Sequence, residues 1–468
     1  MHIMKSNKII AAALLGISLT VSLGSCNIYK KYSTPDDTAL LREYKESVSA
    51  PVDSSTLGNM RWEEVFTDPM LADLIRMALD NNVNLANAKL NVDIAHAQLK
   101  GARLSYLPSA TLAPNGSGSK FFVNPHQNLS WTYQIPLSVS WEIDIFGKLL
   151  NGKRGAQAGY EQSKSYQQAV RSQIIAGVAN CYYGIATIER QLQVSRATAQ
   201  LWAESVQTMK DLKEAGKVNE VAVVQSEAQY YGILGSITDL EVSLDELNNT
   251  MSLLLNVLPQ KWNISADALL TVPQIARASV PMVELAQRPD VEAAERNLAV
   301  AYYSTNSARA AFYPGLSITA NGGFTNLLGS MVTNPGKFFL NLAGSLTAPL
   351  FSRGSNIARL EAAKAQQQQA LNNFQYTLLS AAAEVSDAMT LYEKSVEKQT
   401  YLSEQADKLA KAVEYTQELL KLGSYNTTYL DVLTAQQGLL SAQISAITAR
   451  NAQDRALINL YQSLGGGR

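Results

Sequence analysis

Cysteine and histidine are the side chains from which metal sites and nucleophilic centres are most often assembled, and this 468-residue chain has two of the first and three of the second. Cys26 follows Leu23-Gly24-Ser25, at the end of an apolar run from Ile9 to Val21 with Lys5 and Lys8 ahead of it. The run is shorter than the ~20 residues of a spanning helix and reads as a secretory signal. Small residues directly before a cysteine suit lipoprotein signal peptidase, so residues 1–25 are predicted to be removed and Cys26 to carry acyl chains with affinity for a bacterial membrane. An ordinary signal peptide that contains a cysteine is the plainer alternative. Cleavage leaves Cys181 as the remaining thiol and no intrachain disulfide. His2 falls in the signal, His96 in a helical pattern and His126 in a loop, so they assemble no metal or nucleophile constellation, and no cofactor is expected. The carboxylates are scattered along helical stretches without converging, which speaks against a helical enzyme acting on cell-wall material.

Acidic and basic residues nearly cancel, 40 against 39, so charge selects neither nucleic acid nor a polybasic membrane surface as partner. The abundance of Ala, Gln, Ser and Asn instead suits long helices. In the second half Leu360, Ala363, Gln367, Leu371, Phe374, Leu378, Ala381, Val385, Met389, Tyr392 and Val396 follow at spacings of three or four. No proline interrupts between Ser355 and Tyr425. Such a helix would extend on the order of 100 Å and must lie beside others. Small Ala and Ser residues permit close approach, and the many amides and charges keep the rest of the surface wet, as in the wall of a hollow tube.

Period-two alternation marks the strands. Leu137, Val139, Trp141 and Ile143 alternate with Ser138, Ser140, Glu142 and Asp144, and Leu340, Leu342 and Leu346 alternate with Asn341, Ser345 and Thr347. Trp131, Tyr133 and Trp141 would suit a membrane interface, although packing within the sheet would use them equally well. The organisation is duplicated: Ala102-Arg103 before Pro108 returns 206 residues later as Ala308-Arg309 before Pro314, and Gly216-Lys217-Val218-Asn219 returns as Gly423-Ser424-Tyr425-Asn426. Both prolines suit helix-to-strand junctions. The chain thus divides into the signal (1–25), a polar tether (26–60) and two repeats (61–272 and 273–468), each a helix, two strands and a long helical hairpin. Four strands cannot close a membrane barrel alone, because lipid would leave the edges unsatisfied; copies of the chain would have to supply the missing partners, in a number the pattern does not fix.

Trp62, Phe66, Asp68-Pro69, Leu71, Leu74, Ala78-Leu79 and Asn82 resemble the opening signature of the TolC-like outer membrane efflux proteins. Arg288-Pro289-Asp290-Val291 through Ala294-Glu295 to Ala308-Arg309 and Pro314 is similar to their central motif. Tyr429-Leu430-Asp431-Val432-Leu433 with Ala435-Gln436 is similar to their last turn motif, and Leu464-Gly465-Gly466-Gly467 to their end. Thr434 and Arg468 depart, where many relatives carry an acid and Trp, and the lipidated cysteine points to the lipoprotein branch.

The resemblance implies a mainly α fold with a small β part, in which three chains form a twelve-stranded transmembrane barrel continued by a long periplasmic α-helical barrel. It implies a passive export duct serving a periplasmic adaptor (membrane fusion protein) and an inner-membrane transporter. It puts Asp431 at a periplasmic gate, where three carboxylates would raise one another's pKa and attract a cation; the bland alternative is a solvated acid near a helix N-terminus. The offset between Gly216 and Gly423 makes Val224 the first-half counterpart. Gly216 and Gly423 would sit in turns at the periplasmic tips, free to take positive φ and, by the resemblance, available for adaptor docking. A periplasmic coiled-coil adaptor would share the signal and the helices, but not the duplicated strand pair.

Overall fold

The computed structural model describes residues 29–48, 56–119, 130–268, 270, 282–325, 337–422 and 427–467. Cys26, His126 and Gly423 lie outside the described residues. The elements are α1 (Ala39–Val48), α2 (Trp62–Val65), α3 (Pro69–Asn81), α4 (Val83–Leu104), β1 (Ser109–Leu112), β2 (Asn115–Ser119), β3 (Ser130–Ile143), α5 (Lys148–Glu214), α6 (Glu220–Leu254), α7 (Met282–Ala286), α8 (Pro289–Ala310), β4 (Gly315–Thr325), β5 (Lys337–Thr347), α9 (Ser355–Lys421) and α10 (Tyr429–Ser463). Duplication appears as matched lengths: 22 residues in α4 and α8, 67 in α5 and α9, 35 in α6 and α10. The turn between α5 and α6 takes five residues and that between α9 and α10 seven, so the offset between halves grows from 207 to 209 across the turn.

The chain forms two compact units, each drawn from both halves. One comprises residues up to Pro35, Asn91–Lys164 and Ala293–Gln375 and contains the sheet; the other comprises Asp36–Leu90, Ser165–Glu292 and Tyr376–Arg468.

In the first unit β1 and β2 pair with β3 in one unbroken antiparallel register, Ser109 facing Ser140, Leu112 facing Leu137, Asn115 facing Gln134 and Gly118 facing Trp131. They are interrupted at Ala113–Pro114, where proline has no amide proton for the ladder; Ala113 N–H still donates to Pro136 O at 3.2 Å. The five segments therefore make the four strands expected, in the order β1/β2, β3, β4, β5. Register continues without a bulge from β3 to β4 (Leu137 to Gly322) and from β4 to β5 (Ala320 to Leu342).

A free tether is expected up to residue 60, but residues 29–35 are strapped to this unit. Tyr32 N–H donates to Tyr303 Oη at 3.1 Å, the Tyr302 hydroxyl to Lys30 O at 3.2 Å, and the Thr34 hydroxyl to Glu295 Oε1 at 2.8 Å. The Tyr32 and Tyr302 rings meet edge to face at 5.7 Å. Composition hides this because two tyrosine side chains of α8, remote in sequence, satisfy the strap's backbone.

In the second unit Trp62, Phe66, Leu71, Leu74, Ile75 and Ala78 are buried with Tyr182, Ile185, Met251 and Tyr461. Asp68 caps α3, its Oδ1 accepting from Met70 N–H at 2.9 Å and its Oδ2 from the Tyr182 hydroxyl at 2.8 Å, and Pro69 occupies the first helical position. Asn82 does the same for α4 and donates to Leu254 O at 2.8 Å. The buried Arg288 guanidinium binds Asp290 in two places (3.0 and 2.7 Å), Glu384 Oε2 at 2.7 Å and Ser463 O, at the end of α10, at 2.7 Å. Burial alone would push the Asp290 carboxyl up; the Arg288 hydrogen bonds and charge outweigh it and hold the group below its ordinary value. The closing glycines fit because they lack Cβ: a Cβ on Gly466 would strike the Tyr461 ring, while the Tyr461 hydroxyl accepts from Gly467 N–H at 2.7 Å.

Asp454 on α10 is buried, with Arg450 Nε 3.3 Å away but poorly aligned for a hydrogen bond. Burial pushes its carboxyl up to about 6, against the opposing charge of Arg450. A raised folded-state pKa contributes stability that is fully present below the unfolded value and is lost as pH rises through about 6. Asp454→Asn is expected to be more stable than the parent at pH 7.5 by about 1–2 kcal/mol, a gain that shrinks on acidification through this window. Thermal unfolding of both proteins as a function of pH checks this.

Candidate functional site: an apolar sheet face and a hairpin turn

Strand register gathers the alternating residues onto two faces. Leu112, Tyr133, Ile135, Leu137, Val139, Trp141 and Ile143 share one face with Leu316, Ile318, Ala320 and Phe324 of β4 and Phe338, Leu340, Leu342 and Leu346 of β5. The opposite face carries Thr132, Gln134, Ser138, Ser140, Thr319, Asn321, Asn341 and Ser345. The apolar face is open over all four strands: Trp131 is 69% exposed, Leu340 and Leu342 73% each, and Trp141 40%. Trp131 and Trp141 stand on this open face. Within the described residues, each outer strand pairs on one side alone.

At the helical side of the sheet a second group of rings collects. Trp141 Nε1–H donates to Tyr106 O at 2.9 Å, and Phe146 stacks on Tyr313 at 4.9 Å. A Cβ on Gly147, which has φ +71°, would lie 3.3 Å from the Tyr29 ring. The alternating pattern singles out Trp141 and passes over Tyr29, Tyr106, Phe146 and Tyr313, which sit outside the alternating runs; their position next to Pro108, Pro314 and Gly147 is the signal that could have found them.

At the first hairpin Gly216 adopts φ +69°; its N–H donates to Lys213 O at 2.9 Å and Lys217 N–H to Leu212 O at 2.9 Å, closing α5 with a Schellman motif. Lys210 pairs with Glu227 at 2.8 Å, and Lys213 with Glu220, across the turn. Asn219 Oδ1 caps α6 by accepting from Ala222 N–H at 3.1 Å. At the second hairpin Asp431 is the third residue of α10. Its Oδ2 accepts from Thr428 N–H at 2.7 Å and from the Thr428 hydroxyl at 2.8 Å, the reciprocal half of a capping box. These bonds hold the carboxyl below its ordinary value, and the group is exposed. Measured from the helix starts, the first-half counterpart of Asp431 is Ala222, and not Val224 as the offset at the glycines gives; the longer second turn accounts for the two-residue difference.

Cys181 is buried, its thiol pushed up to about 12 by desolvation, and donates to Leu247 O. His96 packs on Tyr160 at 5.4 Å. Among the described residues no group of His, Cys, Asp and Glu could hold a metal ion, and no helix is long and apolar enough to cross a membrane.

Comparison with known sequences gives the family. The profile described as outer membrane efflux protein matches residues 74–257 and 280–466. The chain belongs to the outer membrane efflux protein family. The toluene efflux pump outer membrane protein TtgC of Pseudomonas putida is 29% identical, over 97% of this chain and 96% of that one. The probable outer membrane lipoprotein SilC of Salmonella typhimurium is 26% identical, over 97% and 98%. The structure of the open state of the Neisseria gonorrhoeae MtrE outer membrane channel superposes with a TM-score of 0.80 at 26% identity, covering 94% of this chain and 98% of that one. As an outer membrane efflux protein the chain is the outer-membrane channel component of an efflux system, mainly helical with a small sheet part.

Nothing lies within 4 Å of a Cβ built on Gly216, so substitution there costs conformation and no contact. Gly216→Ala is expected to destabilise this efflux protein by about 1 kcal/mol and Gly216→Asn by about half as much, since Asn tolerates positive φ. Differential scanning calorimetry of the two variants separates them.

Proposed function

We propose that three chains complete one another's sheets into a twelve-stranded barrel, making a passive duct that a periplasmic adaptor and an inner-membrane transporter feed. The observation that carries this reading is the four-stranded meander with one continuous open apolar face and two outer edges. Hydrocarbon offers backbone amides no partner, so such edges must be joined to others. Trp131 and Trp141 stand ten residues apart on one face. That is ~33 Å along a strand and, at a tilt of ~40°, ~25 Å of height, the span of a lipid-facing band between aromatic girdles. Trp131 and Tyr133 would then mark one interface and Trp141 the other. Sedimentation in mild detergent is expected to give a trimer; a monodisperse single chain would sink the reading.

Cys26 is the lipid attachment point in this reading, in keeping with a relative named an outer membrane lipoprotein. Tyr29, three residues on, rests on Gly147 between β3 and α5. The two repeats, 61–272 and 273–468, each supply two strands and one hairpin, and the turns at Gly216 and Gly423 form the adaptor-docking tips.

Asp431 is the periplasmic gate residue in this reading. One per chain would give a ring of three carboxylates, each bonded by its own Thr428 cap, which holds it below its ordinary value. Capping and gating separate by mutation: Asp431→Asn keeps an acceptor for Thr428 but removes the charge, whereas Thr428→Ala keeps the charge. Asp431→Asn is expected to raise single-channel conductance and weaken block by multivalent cations, and Thr428→Ala to leave both near the parent. Equal conductance in parent and Asp431→Asn would remove the gate assignment. The depressed pKa means that this group's contribution to folding stability holds above the ordinary carboxylate range and disappears only as pH falls through the lowered value.

A further inference from the structure

Charge is unevenly placed along this nearly neutral chain. The twelve residues on the helical side of each strand pair's ends (97–108, 144–155, 303–314 and 348–359) contain eight lysines and arginines and one acid, while the whole chain has a formal net charge of −1. The one acid, Asp144, is engaged locally, accepting from Leu150 N–H at 2.7 Å at the start of α5. Among the described residues just one of the eight cations is ion-paired, Lys148 with Glu142 at 2.8 Å. Lys153, Arg309 and Arg353 are exposed and make no ion pair there. Unpaired cations collected at one level repel one another unless an anion is brought to them.

Their placement says which anion. Trp141 belongs to the open apolar face; its Nε1–H holds Tyr106 O, and Lys153 Nζ sits 5.7 Å over the Tyr106 ring. Apolar surface, an aromatic with a polar edge and a cation thus follow one another in the order in which a phospholipid presents acyl chain, glycerol and phosphate. Arg309 and Arg353 lie at the corresponding ends of α8 and of the segment between β5 and α9.

We propose that the helical side of the sheet is a basic collar that binds anionic phospholipid headgroups of the adjoining leaflet, with Lys153, Arg309 and Arg353 as phosphate contacts. It rests on the reading of the sheet as membrane-spanning. The patch is continuous with the apolar face, which favours lipid over any soluble polyanion.

The test uses the full-length trimer in nanodiscs of phosphatidylcholine alone or with about one third phosphatidylglycerol, and a Lys153→Gln/Arg309→Gln/Arg353→Gln variant. Native mass spectrometry of retained lipids is expected to show phosphatidylglycerol enriched roughly fivefold over its bulk share around the parent, falling toward parity in the variant and at high salt. The variant should still insert and conduct in phosphatidylcholine, which keeps the membrane-spanning reading separate. Equal retention of the two lipids by the parent, or enrichment that the variant keeps, overturns the collar. Failure of both proteins to insert in either bilayer overturns the spanning reading and the collar with it.

Discussion

A backbone amide or carbonyl in hydrocarbon has no water to bond, and the outer edges of β1/β2 and β5 each carry a row of them. Everything else about the sheet follows from that demand. Its register runs without a bulge through all four strands, so the apolar side chains stay on one face from Leu112 to Leu346. Edges that must find another chain cannot be blunted by charge or covered by a helix in the usual way. Pro114 interrupts an outer strand, and Pro136 withholds a second amide within β3 without ending the strand.

The second unit answers a different requirement: helix ends must be fixed around its apolar core. Polar side chains of known spacing do this. Asp68 and Asn82 open α3 and α4, and Arg288 gathers Asp290, Glu384 and the terminal carbonyl of α10. Tyr461 is held by Met60 O and in turn holds Gly467 N–H. The segments that carry the resemblance to the family are, in this chain, largely the fastenings of helix termini: caps, a buried guanidinium and closing glycines.

Features of short period are legible in the sequence. Alternation gives both faces of β3 and β5, the three-four spacing from Leu360 to Val396 gives the body of α9, and Gly216 stands at the positive φ its turn requires. What escapes depends on partners far along the chain. Tyr302 and Tyr303 bind a strap more than 270 residues earlier, and no local pattern in a polar, proline-containing segment announces that. The ring cluster at the sheet's helical side lies in junctions where neither period applies. Val224 is misaligned with Asp431 for a simple reason: matching glycines fixes the end of one helix, and the start of the next floats with turn length.

That two-residue difference limits how far the duplicated halves are interchangeable. With helices equal in length on both sides, the hairpins could have presented six like positions in a trimer, but Ala222 occupies the place of Asp431. The caps differ as well: Asn219 accepts a backbone proton with a neutral amide, whereas Thr428 donates to a carboxylate. The first turn spends its charges in pairs across itself, Lys210 with Glu227 and Lys213 with Glu220, and each exposed pair contributes little stability, on the order of 0–1 kcal/mol. Asp211, Glu214 and Lys217 stand beside these pairs, so the first tip is charged as well. What sets the second hairpin apart is a carboxylate fixed by its own cap and unpaired with any cation among the described residues. Duplication supplied the matched scaffold, and divergence of one turn confined the fixed charge to every second hairpin of the proposed ring.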